Sequence, residues 1–312
     1  MRIIVVCSYR SFSAHSDYVS PFIWEQVNEL SKHGCEFRYV LAKGGGIGAY
    51  IRCLLELYQT ITDFKPTLIH AHGGLCGFVS NLQFKIPVVT TYHGSDINKF
   101  RIRLVSKVAF HCSAFNIFVS HALLAKMQSK SKLNSEVIPC GVNFEKFFPV
   151  EDKQLCRKKM GLELNKHYVL FSKMFYDPIK NYPLAKVAVE SLPNTELIEF
   201  IGYSREDACL LMNACDAAVM TSFSEGSPQF IKEAMACNCP IVSVDVGDVR
   251  NVIENTHNCF ITPYDEKIIS ERLKAIFQND RRTNGREQIS HFNNQDICQA
   301  ILKIYMNVAR NA

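Results

Sequence analysis

The sequence lacks several features that would each point to a class of protein. It contains no run of 18 or more apolar residues, which argues against a membrane-spanning helix. No CxxC pair occurs, so a structural zinc site is not predicted, and no Asp-x-Asp pair occurs that could hold a metal-bound diphosphate. The first residues, MRIIVVCSYRSF, have too short an apolar stretch for a signal peptide and are typical of a first β-strand.

Cysteine is abundant, but its pattern does not predict disulfides. The 13 cysteines are odd in number and lie mostly inside apolar runs from Cys7 to Cys298. A secreted protein would risk mispairing them, so we expect buried thiols in a reducing compartment. This pattern predicts a cytoplasmic protein.

Length and composition fit two globular domains. The 312 residues suit two domains of roughly 150 residues each, and the apolar content of 47% allows a sizeable core. Charge is unevenly shared: residues 1–150 hold 16 Lys and Arg against 9 Asp and Glu, whereas the rest hold 19 against 21. A basic first half suits an anionic partner such as a phospholipid surface, and ordinary charge scatter is the alternative explanation.

Short apolar runs rich in β-formers alternate with segments of helical period. The runs that predict strands buried on both faces are RIIVVCS (2–8), EFRYVLA (36–42), TLIHAH (67–72), PVVTTYH (87–93), AFNIFVS (114–120), YVLFSK (168–173), ELIEFIG (196–202), AAVMTSF (217–223), PIVSVDV (240–246) and NCFITPY (258–264). Strands that alternate with helices indicate parallel sheets covered on both faces, so the predicted fold class is α/β.

The alternation of predicted strands and helices is interrupted once, and this interruption predicts the domain boundary. We predict a first domain over 1–145, a polar linker over 146–165 and a second domain over 166–295. The terminal segment 296–312 is predicted as a helix that packs back on the first domain. Two doubly wound domains would bring the carboxyl ends of both sheets to a central cleft, where ligands of such folds bind.

The densest signal for a binding site lies between Met220 and Val249. A strand ends near Phe223, a short loop follows, and a helix is predicted to start around Pro228 with Ser227 as its N-cap. The loop offers backbone N–H groups and the positive end of a helix dipole. Both suit a phosphate group or sugar hydroxyls.

Two glutamates accompany this helix start. Glu225 lies beside it, and Glu233 lies eight residues further on, inside the helix. A carboxylate accepts two hydrogen bonds at once, so each could hold a vicinal diol such as ribose or a hexose presents. Two isolated glutamates are more often part of a solvated helix, and the pair alone does not define a site.

The string SEGSPQFIKEAMACNCPIVSVDVGDV (224–249) resembles the donor-site signature of the retaining family 4 glycosyltransferases, also called glycosyltransferase group 1. The resemblance implies the GT-B fold, two Rossmann-like domains that face a cleft, and metal-independent transfer with retention of anomeric configuration. It implies that Glu225 contacts the donor hexose and Glu233 the ribose. The backbone N–H groups that would surround the sugar and phosphates belong to Gly226, Ser227 and Gln229.

Two further segments are similar to the same family in the expected order. IPCGVNFEKFFP, from Ile138, resembles the interdomain segment, and DPIKNYPLAKVAV, from Asp177, resembles the loop in which a lysine binds the donor pyrophosphate. Lys180 matches that lysine. An ammonium there would neutralise the charge that grows on the leaving diphosphate.

The sequence also departs from the family pattern. The family usually has an arginine several residues before the lysine, and here Met174 takes that position with Lys173 adjacent. Lys173 supplies a point charge but no bidentate fork. Asp248 stands where a second glycine is common. Tyr203, at a predicted strand end, is our candidate for contact with the nucleotide base.

In the first domain, His93 ends the strand PVVTTYH, and the resemblance implies that it contacts the donor sugar. Asp96 either caps the following helix or holds His93, and we favour this structural role. Relatives carry a glycine pair near the phosphates in the loop between residues 8 and 21. This chain has no glycine there, and we assign no role to the serines Ser11, Ser13, Ser16 and Ser20.

Other motifs carry weaker hypotheses. Gly44, Gly46 and Ala49 form G-x-G-x-x-A between a strand and a helix, the context of a dinucleotide fingerprint, but the motif follows the second strand. A glycine-rich loop that lines the acceptor side is the preferred interpretation. Metal binding by His70, His72 and His93 is disfavoured, because the first two lie two apart on a strand and the third matches a sugar-binding position.

The segment KFRIRLVSKVAFH, from Lys99, interleaves basic and apolar residues. As a helix it would be amphipathic and would suit an anionic membrane, although a plain solvated face is an equal alternative. Its basic residues are Lys99, Arg101, Arg103 and Lys107. No aromatic and basic platform for nucleic acid is present.

These observations predict a hexosyltransferase with no metal or other cofactor. We expect it to move a hexose-type sugar from a UDP- or GDP-sugar, held mainly by the second domain, to a glycan or lipid-linked acceptor, held mainly by the first. The expected process is cell-surface polysaccharide or glycolipid synthesis, in the cytoplasm or at the inner face of the membrane. The alternatives are a nucleotide-sugar epimerase or hydrolase of the same fold, a non-catalytic nucleotide-sugar binder and, remotely, an NAD-dependent oxidoreductase.

Overall fold

A computed structural model describes residues 1–9, 19–127, 134–279 and 281–311. The strands are β1 (Arg2–Ser8), β2 (Glu36–Ala42), β3 (Leu68–His72), β4 (Val88–Tyr92), β5 (Phe115–Phe118), β6 (Ser135–Val137), β7 (His167–Phe171), β8 (Thr195–Glu199), β9 (Ala217–Met220), β10 (Ile241–Val244) and β11 (Cys259–Thr262). The helices are α1 (Pro21–Ser31), α2 (Gly46–Phe64), α3 (Gly74–Asn81), α4 (Ser95–Asn98), α5 (Phe100–Cys112), α6 (His121–Met127), α7 (Lys153–Lys159), α8 (Tyr182–Glu190), α9 (Arg205–Ala214), α10 (Gln229–Ala236), α11 (Val249–Ile253), α12 (Glu266–Asn279), α13 (Gly285–Gln288) and α14 (Asn294–Arg310). Short 3₁₀ turns cover Pro178–Lys180 and Ser290–Phe292.

The chain folds into two compact units. Unit 1 comprises Met1–Gly141 together with Asn294–Ala312, and unit 2 comprises Val142–Asn293. The C-terminal helix α14 is therefore part of unit 1, and the stretch 146–165 lies within unit 2.

A buried ion pair explains why that stretch belongs to unit 2. Arg157, on α7, donates from Nη2 to Asp216 Oδ2 over 2.7 Å, and both side chains are buried. Arg157 also donates from Nε to the carbonyl oxygen of Ala214. Breaking a buried pair of this kind costs several kcal/mol, about 3–5 in typical proteins, so α7 is firmly held beside β9.

Unit 1 is built on a six-stranded parallel sheet with the order β2-β1-β3-β4-β5-β6. The alternation of runs along the sequence predicts five of these strands, and β6 is missed because it has three residues. From β1 the chain moves outward to β2 and then returns to the other side of β1 as β3. The carboxyl ends of β1 and β3 therefore form the topological switch point of this sheet.

Apolar side chains alternate between the two faces of this sheet. One face packs against α2 and α3, through Ile4, Val6, Ile69, Ala71 and Leu57 among others. The opposite face packs against α1 and α14, through Ile3, Leu68, Val89, Ile301 and Tyr305 among others. Both faces of each central strand are buried, which is why these strands read as continuous apolar runs.

Unit 2 contains a five-stranded parallel sheet with the order β11-β10-β9-β7-β8. Its switch point lies between β7 and β9. The faces are covered by α8 and α12 on one side and by α9 and α10 on the other. Two Rossmann-like parallel-sheet units confirm the predicted α/β fold class.

Within the described ranges, none of the helices is both long and apolar enough to cross a membrane.

Candidate active site

The switch point of unit 2 is surrounded by two loops that are fastened to each other. The hydroxyl group of Thr221, just after β9, donates to the carbonyl oxygens of Lys180 and Asn181 over 2.9 Å. The backbone N–H of Phe223 donates to the carbonyl oxygen of Ile179 over 2.8 Å. These bonds hold the 3₁₀ turn Pro178–Lys180 against the end of β9.

This fastening brings Lys180 and Glu225 into contact. Lys180 Nζ lies 2.5 Å from Glu225 Oε1, and each side chain is 14% exposed. The two residues are 45 positions apart in sequence. A cation and a carboxylate therefore lie side by side at the carboxyl edge of the sheet. There the ammonium could bind a phosphate group of a ligand, and the carboxylate could accept hydrogen bonds from its hydroxyl groups.

Gly247 allows a third loop to approach Glu225. Its φ of +65° lies in the left-handed region, and a Cβ atom there would lie 2.8 Å from the carbonyl oxygen of Gly226 and 3.2 Å from Glu225 Cβ. Only glycine combines this backbone angle with this contact. The loop after β10 is thus packed directly against the glutamate.

Helix α10 begins one residue later than the sequence predicts. Pro228 is the N-cap residue with an extended backbone, no side-chain cap is formed, and the helix starts at Gln229. The prediction of Ser227 as N-cap is therefore wrong. The Oγ atom of Ser227 is instead buried without a hydrogen-bond partner among the described residues. Burial has the largest effect on the Asp248 carboxyl group and raises its pKa.

Glu233, the predicted ribose ligand, is bound to an arginine. It is almost fully buried, and its Oε1 atom lies 2.8 Å from Arg205 Nη2. The guanidinium of Arg205 lies over the ring of Phe147, 4.3 Å from its centroid. Sequence reasoning missed Arg205. The available signal was its position as first residue of α9, two residues after Tyr203.

The other predicted donor residues of unit 2 are placed as follows. Lys173 Nζ lies 3.7 Å from Asp177 Oδ2, within the loop that carries Lys180. Tyr203 is partly exposed, and its ring stacks on Phe200 with centroids 6.1 Å apart. Gly226, three residues before α10, is buried, and Ser227 and Gln229 are half-buried.

Besides Ser227, two further hydroxyl groups near this edge have unused hydrogen-bonding capacity. The Oγ atoms of Ser172, after β7, and Ser222, after β9, are buried without a hydrogen-bond partner among the residues the structure describes. Buried polar groups of folded proteins nearly always have partners. Both serines follow the two strands that form the switch point, so the unmet capacity coincides with the expected ligand site.

In unit 1, His93 follows β4 at the edge that contains the switch point of that sheet. Its Nε2 atom lies 3.0 Å from His72 Nδ1, and its Nδ1 atom lies 3.7 Å from Cys140 Sγ. The ring of Phe22 packs against it with centroids 5.1 Å apart. His93 is therefore oriented by neighbours on β3, on α1 and in the segment after β6.

Asp96 fixes the backbone around His93. Its carboxylate accepts hydrogen bonds from the backbone N–H groups of Gly74, His93 and Gly94, over 3.2, 3.2 and 2.8 Å. Burial raises the pKa of Asp96, and these backbone donors oppose the rise. The bonds join the loops after β3 and β4, which is a structural role.

A cavity of about 210 Å³ opens beside these loops in unit 1. Its wall includes the ends of β1 and β3, the start of α1 and one residue of α2. The polar side chains in this wall belong to Ser8, Ser20, Tyr50, His72, His93, Ser95 and Asp96. The cavity thus lies at the switch point of the sheet, where ligands of such sheets bind.

Some residues named from the sequence lie elsewhere. Ser11, Ser13 and Ser16 are outside the described residues. Gly44 and Gly46 precede and begin α2, and both have positive φ. That helix follows the second strand of the sheet, away from the β1 turn in which a dinucleotide fingerprint belongs.

Comparison with known proteins agrees with the fold. A family model described as "Glycosyltransferase Family 4" matches residues 15–146, and one described as "Glycosyl transferases group 1" matches residues 179–279. Sucrose-phosphate synthase from Thermosynechococcus elongatus has a similar structure, with a TM-score of 0.86, 17% identity and full coverage of both chains. HepE from Anabaena, solved with UDP, has a TM-score of 0.75 and 16% identity, and the match covers 98% of this chain and 100% of HepE.

Curated relatives are more similar in sequence. TuaC of Bacillus subtilis, a glycosyltransferase named for teichuronic acid biosynthesis, is 28% identical over 242 residues, 68% of this chain and 61% of TuaC. A galactosyltransferase of Escherichia coli, named for UDP-Gal and an N-acetylglucosaminyl-diphosphoundecaprenol acceptor, is 22% identical over 68% of this chain and 66% of the relative. The matches therefore span less than two thirds of the length of these relatives.

Fold and site together define a protein of the GT-B class, with two Rossmann-like units and a charged cluster at the switch point of the second. The two matched segments lie in succession and jointly span well over half of the sequence. The chain belongs to glycosyltransferase family 4, the glycosyl transferases group 1, which places it among the transferases.

Proposed function

We propose that the chain is a retaining glycosyltransferase that moves a hexose-type sugar from a UDP- or GDP-sugar to a glycan or lipid-linked acceptor. The observation that carries this proposal is the contact between Lys180 and Glu225 at the switch point of unit 2. It offers a cation for a diphosphate and a carboxylate for sugar hydroxyls within one hydrogen bond of each other.

The residues take the following roles in this proposal. Lys180 neutralises the leaving diphosphate, with Lys173 as a second cation in the same loop. Glu225 accepts hydrogen bonds from the hexose, and Glu233, oriented by Arg205, accepts them from the ribose.

Other residues complete the proposed donor site. The backbone N–H groups of Gly226, Ser227 and Gln229 surround the sugar and phosphates. The base stacks near Tyr203, and His93 of unit 1 contacts the hexose.

The bond changes of the reaction balance without a protein base. The bond between the anomeric carbon and the diphosphate oxygen breaks, and the acceptor oxygen bonds to the same face of that carbon. The acceptor proton passes to the departing diphosphate oxygen, whose growing charge Lys180 stabilises. No metal is needed in this scheme, and metal independence stays a prediction.

The proposed process is synthesis of a cell-surface polysaccharide or glycolipid. Support comes from the names of the relatives, which include teichuronic acid biosynthesis and diphosphoundecaprenol acceptors. A lipid-linked acceptor also suits α5, which exposes Phe100, Leu104 and Val108 in one stripe. Basic side chains flank this stripe, so we propose that α5 contacts an anionic membrane.

A binding screen followed by a transfer assay tests the function. UDP- and GDP-sugars are compared by thermal shift, because a donor at 100 times its Kd stabilises the protein by about 2.7 kcal/mol. The stabilising donor is then incubated with an undecaprenyl-diphosphate-linked sugar, and the product anomer is read by NMR. Transfer with retention supports the proposal. Binding without transfer indicates a non-catalytic binder, and turnover without acceptor indicates an epimerase or hydrolase.

A further inference from the structure

Two histidines of β3 are buried in unit 1, and the proposed donor contacts use neither of them. His70 and His72 are two residues apart, so their side chains leave the same face of the sheet, and their ring centroids lie 4.2 Å apart. Burial lowers the pKa of His70 to about 3, and it lowers the pKa of His72 well below its ordinary value. Both imidazoles are therefore neutral at physiological pH.

His70 has a partner at each ring nitrogen. Its Nδ1 atom lies 2.6 Å from the hydroxyl oxygen of Tyr305, on α14, and its Nε2 atom lies 2.7 Å from Thr91 Oγ1. A neutral imidazole donates at one nitrogen and accepts at the other, and either hydroxyl can take either role. Packing and hydrogen bonding fully account for His70.

His72 has a partner at one nitrogen and an unmet need at the other. Its Nδ1 atom contacts His93 Nε2 over 3.0 Å, and the two rings stack with an interplanar angle of 16°. Its Nε2 atom is buried and has no hydrogen-bond partner among the residues described. Leaving such a nitrogen unsatisfied carries a free-energy cost, and His72 forms part of the wall of the cavity in unit 1. A ligand group that reached this nitrogen from the cavity would remove that cost.

The two rings are coupled through the proton that they share. A neutral His72 carries hydrogen on one nitrogen, so a donor at Nδ1 leaves an acceptor at Nε2, and the reverse. If His72 Nδ1 donates, His93 Nε2 must accept, and if His72 Nδ1 accepts, His93 Nε2 must donate. The role of His72 Nε2 toward a ligand is therefore linked to which nitrogen of His93 carries hydrogen.

We propose that His72 is a positioning residue for His93, with its Nδ1 atom fixing the ring and tautomer of His93 and its Nε2 atom binding a hydroxyl group of the sugar acceptor in the cavity of unit 1. This inference rests on the proposed function, in which His93 contacts the donor sugar. The same cavity wall presents the hydroxyl groups of Ser8 and Ser20 and the aromatic ring of Phe22. Hydroxyl donors beside an aromatic face suit the polar rim and apolar face of a sugar ring.

Two substitutions separate the two nitrogens of His72. The amide atoms of asparagine lie two bonds beyond Cβ, as Nδ1 does, whereas those of glutamine lie three bonds beyond Cβ, as Nε2 does. His72→Asn therefore keeps the contact with His93 and loses the contact with the acceptor. His72→Gln does the reverse, and His72→Phe keeps the ring volume without either polar atom.

We expect the kinetic constants to divide in the same way. His72→Asn should raise the acceptor KM by roughly tenfold and leave kcat within about threefold of wild type, as loss of one hydrogen bond predicts. His72→Gln should keep the acceptor KM and lower kcat by roughly tenfold. His72→Phe should show both losses. Equal effects of the Asn and Gln variants on both constants would overturn the proposal.

Nitrogen NMR of the histidine rings tests the pairing without any activity assay. In the wild-type protein, His93 should occupy a single tautomer, and a scalar coupling across the N–H···N bond should link it to His72. The tautomer should persist in His72→Asn and become mixed in His72→Gln, while substitution of the exposed His257 by Asn leaves it unchanged. Absence of the coupling in wild type would overturn the pairing. Absence of transfer with every acceptor, with the coupling present, would count against the proposed function alone.

Discussion

At the scale of single residues, the candidate site depends on charges that are held partly away from water. Lys180 and Glu225 are each mostly buried, so each reduces the desolvation cost of the other. The hydroxyl group of Thr221 fixes the backbone of Lys180, and Gly247 brings a second loop against Glu225. The ammonium and the carboxylate are thus pre-organised before a ligand arrives, which limits the ordering cost of binding.

The first prediction concerns this pair. Lys180→Ala should lower kcat/KM for transfer by tenfold or more, because a charged contact to the leaving diphosphate is worth about 1.5–3 kcal/mol. Glu225→Ala should have an effect of similar size through the hexose hydroxyls. The measurement is initial-rate kinetics with the donor identified by thermal shift.

Lys186→Ala is the matched control for this prediction. Lys186 lies on α8 in the same unit, and its ammonium is 3.7 Å from Glu190 on an exposed surface. This substitution removes an exposed lysine charge that has no role in the proposed diphosphate contact, and it should leave kcat/KM within about twofold, as exposed pairs contribute little. Wild-type rates in both site variants would exclude the proposed diphosphate and hexose contacts.

The second prediction follows from buried His70. Its pKa falls from 6.5 in the unfolded chain to about 3 in the folded protein. Between these values the unfolded chain binds a proton that the folded protein does not, so the free energy of unfolding falls as pH falls from 6.5. Denaturant unfolding between pH 6 and 5 should show that His70→Gln removes about 1 kcal/mol per pH unit from this slope.

Exposure provides the control for the pH experiment. His257 is exposed in the folded protein, so His257→Gln should keep the wild-type slope. Carboxylates that titrate in the same range are common to all three proteins and cancel in the comparison. A wild-type slope in His70→Gln would contradict a neutral, buried imidazole.

At the scale of secondary structure elements, sequence patterns predicted ten of the eleven strands among the described residues, but not the partners of single side chains. The N-terminus of α10 was predicted within one residue, because proline and the preceding polar loop restrict where a helix can start. The pair of Arg205 and Glu233 was missed, since 28 residues separate them and only the packing of α9 beside α10 brings them together. The contact of Tyr305 with His70 spans 235 positions and was beyond reach for the same reason.

The third prediction concerns α5. Its exposed stripe of Phe100, Leu104 and Val108 is bordered by Arg101 and Lys107, so binding to anionic vesicles should combine apolar insertion with charge attraction. Replacing the three apolar residues by Ser should abolish sedimentation with vesicles that contain phosphatidylglycerol. Replacing Arg101 and Lys107 by Gln should weaken binding by roughly thirtyfold, at about 1 kcal/mol per basic residue.

Salt and lipid charge separate the two contributions in the vesicle experiment. The wild-type protein should bind less at 0.5 M salt and should not sediment with neutral phosphatidylcholine vesicles, because screening and loss of lipid charge both remove the attraction. The control is substitution of Phe84 by Ser, an exposed aromatic residue outside α5. Equal sedimentation of the wild-type protein and the triple Ser variant would assign α5 to a plain solvated surface.

At the scale of the whole molecule, unit 1 is built from two separate parts of the chain, because the C-terminal helix α14 packs on it. The alternation of strands and helices predicts two Rossmann-like units because each strand run is buried on both faces. The structure places α14 in unit 1, where Ile297, Ile301 and Ile304 cover the same sheet face as α1. The sequence indicates that this helix is amphipathic, but its position on the sheet depends on contacts more than 200 residues apart, which no local pattern contains.

The fourth prediction uses α14 to separate the two units. Ile301 is 3% exposed in the core of unit 1, so Ile301→Asp buries a carboxylate and should destabilise that unit by about 3 kcal/mol or more. Met306, on the same helix, is 43% exposed, and Met306→Asp should change stability by about 0.5 kcal/mol or less. Unit 2 has its own core, so calorimetry of Ile301→Asp should show an early transition for unit 1 while the nucleotide-sugar still stabilises the later one. Loss of nucleotide-sugar binding in Ile301→Asp, with binding intact in Met306→Asp, would mean that unit 2 cannot hold the donor when unit 1 is unfolded.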